Sequence, residues 1–477
     1  MNDPNGMVYD HGEYHLFYQY NPHGNKWGPM HWGHAISRDL LYWESLPIAL
    51  FPDRLGAIFS GSAVADPANS AGFGSRANPA LVAMYTYHDQ RRQDLGQTGY
   101  ESQGLAYSLD RGRSWATYSG NPVLANPAGR DFRDPKVFWH APTGRWLVVL
   151  AAGDHVAFYS SRDLRHWSHE SDFGSEHGAH DGVWECPDLI SMPIEGTSRS
   201  RYVLLVSIGK GGPNGGSATQ YFVGDFDGHR FTADAVRRAP PASAVRWLDY
   251  GTDDYAGSTW SGGKAGDTRR LFIGWMSNWQ YAADVPTQGW RSAMTLPREL
   301  RLVDADGGPE LRSRPVAELA ALRRSAAVLG RRIVSAPLGL TRAAHTHGGL
   351  LELDLDLDIA AATGCELLFA NARGEHTTFR INAAKRRFEL DRSASGAVDF
   401  SPKFTALQSA PWAGGSRRLR LRIYLDQSSI EVFVNDGETV LTALVFPATP
   451  YDSVVLRGSG TFVLNAATVY ELGSIWR

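Results

Sequence analysis

From Met1 to about Leu302 the chain alternates short runs of aromatic and β-branched residues with Gly, Pro, Asn and Asp; Tyr14-His15-Leu16-Phe17-Tyr18 and Trp146-Leu147-Val148-Val149-Leu150 are examples. Segments of this length bounded by turn formers read as strands. A weak repeat runs through them. Ser37-Arg38-Asp39 leads to Trp43, Ser108-Leu109-Asp110 to Trp115, Ser161-Arg162-Asp163 to Trp167, and Gly224-Asp225-Phe226-Asp227-Gly228 to Phe231. The Asp-to-Asp intervals, 53 to 71 residues, suit one four-stranded propeller blade with long loops. Roughly 300 residues at about 60 per blade predict about five blades over residues 1–312.

The segment R-S-R-P-V-A-E-L-A-A-L-R-R, Arg312 to Arg324, carries Pro315 near its start and Val316, Leu319, Ala320 and Leu322 at helical spacing. It predicts a short helix within a linker over residues 313–334. Beyond Ser335 alternation returns. Leu351, Leu353, Leu355 and Leu357 alternate with Glu352, Asp354, Asp356 and Asp358, and Leu419, Leu421, Ile423 and Leu425 repeat the pattern. Strands with one wet face predict a β-sandwich over residues 335–477, and Asn435-Asp436-Gly437 marks a hairpin in it. The fold class is therefore all-β, a five-bladed propeller followed by a sandwich.

Apolar residues at 43% and charged residues at 20% of 477 positions describe a globular chain able to bury large cores. A net charge of -3 supplies no footprint for nucleic acid or an anionic membrane surface. No run of about 18 apolar residues suggests a membrane span, and Met1 onward lacks a signal-peptide profile, so the compartment and any upstream leader stay open. Two cysteines, Cys186 and Cys365, build neither a disulfide framework nor a cysteine-rich zinc site. The His345-Thr346-His347 pair lacks companions at metal-ligand spacing and is assigned no role. A neutral or weakly polar small-molecule partner fits best, with no metal or cofactor expected; a homo-oligomer through the sandwich domain is an open option.

Three acidic residues sit in unusual local settings. Asp3 lies in Asn2-Asp3-Pro4-Asn5-Gly6, each residue of which also favours a plain β-turn. Asp134 lies in Phe132-Arg133-Asp134-Pro135, which reads equally as a structural ion pair at a strand start. Glu185 lies between Trp184 and Cys186, a setting expected to bury it and raise its pKa, as a general acid requires. Propellers gather the starts of their innermost strands around one axial pocket, so carboxylates distant in sequence converge there. A retaining glycosidase needs a nucleophilic and an acid/base carboxylate roughly 5 to 5.5 Å apart. Asp3 and Glu185 are the candidate pair, with Asp134 placed to hold sugar hydroxyls and stabilise developing positive charge.

These motifs resemble glycoside hydrolase family 32, the invertase, inulinase and levanase family. The resemblance rests on M-N-D-P-N-G at Met1–Gly6, F-Y-Q-Y-N-P at Phe17–Pro22, F-S-G-S-A at Phe59–Ala63, F-R-D-P at Phe132–Pro135 and W-E-C-P-D-L at Trp184–Leu189. It continues through W-M-S-N-W-Q-Y at Trp275–Tyr281, W-R-S-A-M-T-L-P-R-E-L at Trp290–Leu300 and S-S-I-E-V-F-V-N-D-G from Ser428. It implies a propeller plus sandwich, with Asp3 as nucleophile, Glu185 as acid/base and Asp134 as transition-state stabiliser. Exo-acting release of fructose from levan, inulin, fructo-oligosaccharides or sucrose would follow. The resemblance also places Asn2, Gln19, Trp27, Phe59, Ser60, Arg133, Asp249 and Trp279 around the first sugar subsite, with Cys186 as a pocket-wall residue. Trp27 and Trp279 have an alternative reading as blade-packing residues.

One departure from the family pattern is the lead strand, normally ending in Trp just before M-N-D-P-N-G, which these residues do not include. Asp3 is thereby near a chain end, where ordering is poor unless the segment is tied into a sheet. A protein beginning at Met1 is expected to be less active or less stable than one extended upstream. Two other functions use the same features: fructosyl transfer, in which a sugar intercepts the covalent intermediate, and non-catalytic fructan binding, for which the three carboxylates are unnecessary.

Overall fold

The computed structural model describes residues 1–127, 129–235, 245–341, 347–404 and 406–476. His345 and Thr346 fall outside them. Residues 4–315 form five antiparallel sheets. The innermost strands are Pro4–Asp10, Ala57–Asp66, Arg133–His140, Trp184–Pro193 and Tyr255–Thr259, and each contacts the next around a ring. The ring closes where Tyr9 N donates to Ser261 O at 2.9 Å and Ser261 N to Met7 O at 2.9 Å. The five-bladed propeller expected from the repeat is present.

The repeat itself is the hairpin between the third and fourth strands of the first four blades. In the first blade Asp39 Oδ1 accepts from the backbone of Leu41 at 3.0 Å and Tyr42 at 2.9 Å, and Trp43 Nε1 donates to Leu40 O at 3.2 Å. Asp163 and Trp167 do the same in the third blade. An Asx turn satisfies the loop amides while the indole covers the turn, which is why Asp and Trp recur together. In the fourth blade Asp227 rather than Asp225 makes the turn, accepting from His229 N and Arg230 N. The fifth blade uses a two-residue Asp306-Gly307 turn, with Ala305 paired to Gly308, so it leaves no trace in the repeat.

All five innermost strands carry a β-bulge near their N-terminal ends. The register shifts fall between Asn5 and Val8, Ile58 and Gly61, Arg133 and Lys136, Glu185 and Asp188, and Tyr255 and Ser258. A bulge bends the strand and re-aims the side chains beside it. Just below, Lys136 Nζ donates to Ser258 Oγ at 2.9 Å and lies 3.0 Å from Asp188 Oδ2, tying the third, fourth and fifth blades together.

The second domain is a sandwich of a seven-stranded and a six-stranded sheet. Leu351, Leu353, Leu355 and Leu357 point into its core together with Leu419, Leu421, Ile423 and Leu425. On the opposite face Asp354, Asp356 and Asp358 stand across from Arg422, Arg420 and Arg418. The wet face is thus a ladder of opposite charges. Glu352, expected on that face, is instead fully buried between Arg323 at 2.6 Å and Arg422 at 2.7 Å.

Of the linker with a short helix expected over 313–334, the short helix is present, but the residues flanking it belong to strands of the two domains. The last propeller strand, Gly308–Pro315, runs into this segment; Ala317–Leu322 is a single 3₁₀ helix; and Arg323–Leu329 and Arg332–Val334 are strands of the sandwich. The apolar residues at helical spacing serve the junction. Val316, Leu319 and Leu322 are buried in one cluster with Tyr14, Trp260 and Leu271 of the propeller and Tyr424, Phe433 and Val440 of the sandwich. Burying that cluster welds the two domains and leaves no room for a free linker.

Candidate active site

A cavity of about 290 Å³ opens at the ring of innermost strand starts, lined by Asn2, Asp3, Gln19, Trp27, Phe59, Ser60, Arg133, Asp134, Glu185 and Trp279. His88, Gln93, Glu101 and Asp131 complete its wall. The three carboxylates singled out in the sequence therefore share one cavity, although 131 and 51 residues separate them along the chain.

Asp3 is tied to the first blade although it lies next to the end of the chain. Asn2 N donates to Gln19 O at 3.0 Å and Gln19 N to Asp3 O at 3.1 Å, so the segment continues the strand pairing. Gln19 Nε2 donates to Ile58 O at 3.0 Å, joining the first two blades behind the carboxylate. The Asp3 carboxylate accepts from Asn2 Nδ2 at 3.1 Å through Oδ1 and from Ser60 Oγ at 3.0 Å through Oδ2. Burial pushes its pKa up to about 6, helped by the nearby charge of Glu185 and opposed by the Asn2 and Ser60 hydrogen bonds.

Asp134 occupies the bulge of the third blade with φ +61°. Its backbone N donates to Thr86 Oγ1 at 3.0 Å, Thr86 donates to Gln103 Oε1 at 2.7 Å, and Gln103 Nε2 donates to Phe132 O at 2.7 Å. This second-blade network holds an αL backbone that a non-glycine residue adopts only when its surroundings enforce it. Burial pushes the Asp134 carboxyl up to about 7; Arg133 opposes this, Glu185 adds to it, and the N–H of Cys186, donating at 3.0 Å, also opposes it.

Glu185 does not sit in the apolar slot that its sequence neighbours suggest. Trp184 turns into the core between the third and fourth blades, and Cys186 points the other way, its Sγ 3.6 Å from Asp134 Oδ2 and 3.9 Å from Asp3 Oδ2. The Glu185 carboxylate, 24% exposed, is held by Arg133 Nη2 at 3.0 Å on Oε1 and by the Tyr255 hydroxyl on Oε2. Cys186, expected as a pocket-wall residue, thus reaches the two aspartates without being among the residues that line the cavity. Burial and the surrounding carboxylates push its thiol up, which keeps it neutral.

Among the described residues that line the cavity, Arg133 is the one arginine or lysine beside these acids. Besides Glu185 it reaches Asp131 at 2.5 Å and Glu101 at 3.4 Å. Burial disfavours its charge, and the carboxylates of Glu185, Glu101, Asp134 and Asp131 more than offset this, so it stays protonated. The other walls are aromatic. Phe59 stacks on His88 at 4.1 Å between centroids, Trp27 stands edge-on to Phe59 at 5.9 Å, and Trp279 leans on Trp275 at 4.7 Å. Trp27 and Trp279 are 50% and 37% exposed, so their indoles face the cavity and do not pack blades.

Asp249 lies elsewhere. Its carboxylate accepts from Arg298 Nη1 at 2.9 Å and from Thr442 Oγ1 at 2.6 Å, buried at the junction with the sandwich. Its partners lie 49 and 193 residues away, so nothing beside it in the sequence distinguishes an interdomain acid from a sugar ligand. Sequence reasoning also missed His88, Gln93, Glu101 and Asp131. Asp131 carried a signal, standing two residues before Arg133 in the same strand-start run; Gln93, in a short helix at Gln90–Asp94, carried none.

Two carboxylates facing one cavity, with a third beside them and flat aromatic walls, supply what acetal cleavage through a covalent intermediate requires. The cavity and its frame define a glycoside hydrolase. Two family descriptions match the chain, "Glycosyl hydrolases family 32 N-terminal domain" over residues 1–315 and "Glycosyl hydrolases family 32 C terminal" over residues 318–471. The chain belongs to glycoside hydrolase family 32 and is an exo-acting β-fructosidase. It is 44% identical over 481 residues to a levanase of Bacillus subtilis, covering 100% of this chain and 69% of that protein. To an extracellular exo-inulinase of Aspergillus awamori it is 40% identical over 502 residues, covering 100% and 93%. The crystal structure of exo-inulinase from Aspergillus awamori superimposes with a TM-score of 0.89 at 36% identity, covering 100% of this chain and 96% of that one. A β-fructofuranosidase from Schwanniomyces occidentalis complexed with fructosyl-erythritol gives 0.85 at 29% identity, covering 99% and 95%.

Proposed function

We propose that the protein releases terminal fructose from levan- or inulin-type fructans, fructo-oligosaccharides and sucrose, with Asp3 as nucleophile, Glu185 as acid/base and Asp134 as stabiliser of the charged transition state. The observation that carries this reading is that Asp3 and Glu185 line one cavity, close enough for the Glu185 charge to help raise the Asp3 pKa. Asp3 attacks the anomeric C2 as Glu185 gives its proton to the leaving oxygen, forming a fructosyl ester on Asp3. Glu185 then takes a proton from water as that water attacks C2, which frees fructose and restores the Asp3 carboxylate and the protonated Glu185 with net retention. Asp134, accepting from Cys186 N–H, is placed to receive fructose hydroxyls. Asn2, Ser60 and Arg133 orient the carboxylates, and the Trp27, Phe59 and Trp279 faces cover the ring. A cavity of about 290 Å³ suits a single terminal sugar rather than a threaded chain.

The test is product chromatography on levan, inulin and sucrose, with mass spectrometry of Glu185→Ala quenched during turnover. Free fructose as the sole early product from levan and inulin, glucose and fructose in equal amounts from sucrose, and one anhydrofructose on the peptide containing Asp3 support the reading. Longer oligosaccharides from concentrated sucrose point to transfer, and fructan binding without fructose release in the wild type points to a binding protein.

A further inference from the structure

Trp279 reaches the cavity from a turn whose two ends are held by residues at the domain junction. Asn278, fully buried, donates from Nδ2 to Thr252 O at 2.8 Å, and its Oδ1 accepts from Gln280 N at 3.0 Å. Tyr281, also buried, donates its hydroxyl to Asp253 Oδ1 at 2.6 Å. Both links end on the Thr252-Asp253 pair, and that pair is held by the sandwich domain. Arg392, in the sandwich strand Arg387–Ala394, donates from Nη1 to Asp253 Oδ2 at 2.7 Å and from Nη2 to Thr252 Oγ1 and to Tyr281 Oη, both at 3.1 Å. Its guanidinium lies 3.5 Å over the Phe404 ring, and Leu444 N, also from the sandwich, donates to Asp253 Oδ2 at 2.9 Å. Arg392 and Asp253 are both fully buried.

We infer that Arg392 is a positioning residue for the sugar pocket: the sandwich domain, through Arg392, Asp253 and Tyr281, sets where the Trp279 indole stands over the bound sugar. A planar guanidinium that fills four acceptors at fixed angles, Asp253 Oδ2, Thr252 Oγ1, Tyr281 Oη and, at 2.9 Å, Leu444 O, leaves the turn a single placement. Loosening it displaces an indole that touches substrate in the ground state and in the transition state alike, and such a loss appears in KM more than in kcat. The inference rests on the proposed pocket in taking Trp279 as a wall of the sugar subsite.

Tyr281→Phe keeps the ring and removes the hydroxyl that links Arg392 to the turn; Arg392→Met combined with Asp253→Asn removes the ion pair without stranding a charge. Each full-length variant is assayed on sucrose and inulin beside Trp279→Ala, well below its melting temperature. In Tyr281→Phe and in the double variant KM rises about five- to tenfold while kcat stays within about twofold. Should the double variant not fold, Tyr281→Phe alone decides. Wild-type KM in Tyr281→Phe while Trp279→Ala raises it overturns the linkage, whatever the change in stability. Wild-type KM in Trp279→Ala as well overturns the pocket reading beneath it.

Discussion

Arg133 holds Glu185 Oε1 at 3.0 Å through Nη2 while its Nε stands 3.9 Å from Asp134 Oδ2, so a single guanidinium spans the acid/base and stabiliser candidates of two neighbouring blades. It does so from the residue immediately before Asp134, at the bulge of the third innermost strand. The spacing of the two carboxylates is thus set by one rigid group anchored on Asp131 and Glu101.

A lysine at this position keeps the charge and loses the fork. Arg133→Lys cannot reach Glu185, Asp131 and Glu101 together, and the freed carboxylates repel one another. The expected loss in kcat/KM on sucrose is about 10² to 10³-fold with the fold retained by circular dichroism. Activity within threefold of wild type, about 0.7 kcal/mol, would show that charge alone suffices.

With Asp3 as the proposed nucleophile, the acid limb of the pH–rate profile should follow its carboxyl. A nucleophile must be ionised, so kcat/KM declines as pH falls through about 6, the value to which burial and Glu185 push this carboxyl. Ser60 opposes that push by donating to Oδ2. Removing it in Ser60→Ala costs the charged form a hydrogen bond, moving the limb upward by about one pH unit and lowering kcat/KM several-fold below pH 7. An unmoved limb would assign it to another group.

Asp134 should weigh on stability in the opposite way to an ordinary surface acid. Its folded-state pKa of about 7 lies above its ordinary 3.8, so the folded protein binds more protons between those values and is progressively destabilised as pH rises through them. The penalty is absent below about pH 4 and full above pH 7. Asp134→Asn, which keeps an acceptor for Cys186 N–H, should raise the melting temperature by about 1–3 °C at pH 8, show almost no gain near pH 4, and cost most of the activity. An equal gain at both pH values would place the effect in packing rather than charge.

Much of this site was legible because propeller geometry converts sequence position into spatial position. Asp3, Asp134 and Glu185 each stand beside the bulged start of an innermost strand, and so do Ser60 and Tyr255. The recurring Asp and Trp of the outer hairpins made the blades countable, although the fifth blade, turning on Asp306-Gly307, does not share the motif. What escaped notice depends on partners from elsewhere. Asp249 looks like any polar residue near a strand until Arg298 and Thr442 arrive from the next strands and the next domain. Val316, Leu319 and Leu322 have helical spacing, yet that spacing serves a 3₁₀ turn wedged between two domains. Trp184 and Cys186 flank Glu185 in sequence and leave it on opposite sides, because a bulge redirects alternate side chains.

Gly6 shows how much the placement of Asp3 depends on such a bulge. It holds φ +53°, and a Cβ there would lie 2.6 Å from Phe17 Cδ2 and 2.6 Å from Trp32 Cζ3, rings buried between the first two blades. Gly6→Ala therefore combines a left-handed backbone with a collision against groups that cannot rotate away, a cost of about 2–4 kcal/mol. Gly12 is the internal control: its φ is +93° and nothing lies within 4 Å of a built Cβ, so Gly12→Ala pays only the backbone term of about 1 kcal/mol. Because Asp3 lies three residues upstream on the same strand start, Gly6→Ala should also lower kcat/KM at temperatures where it is folded, while Gly12→Ala leaves turnover unchanged. Denaturant unfolding and steady-state rates on both variants check this, and equal effects of the two substitutions would mean that the Phe17 and Trp32 rings yield without disturbing Asp3.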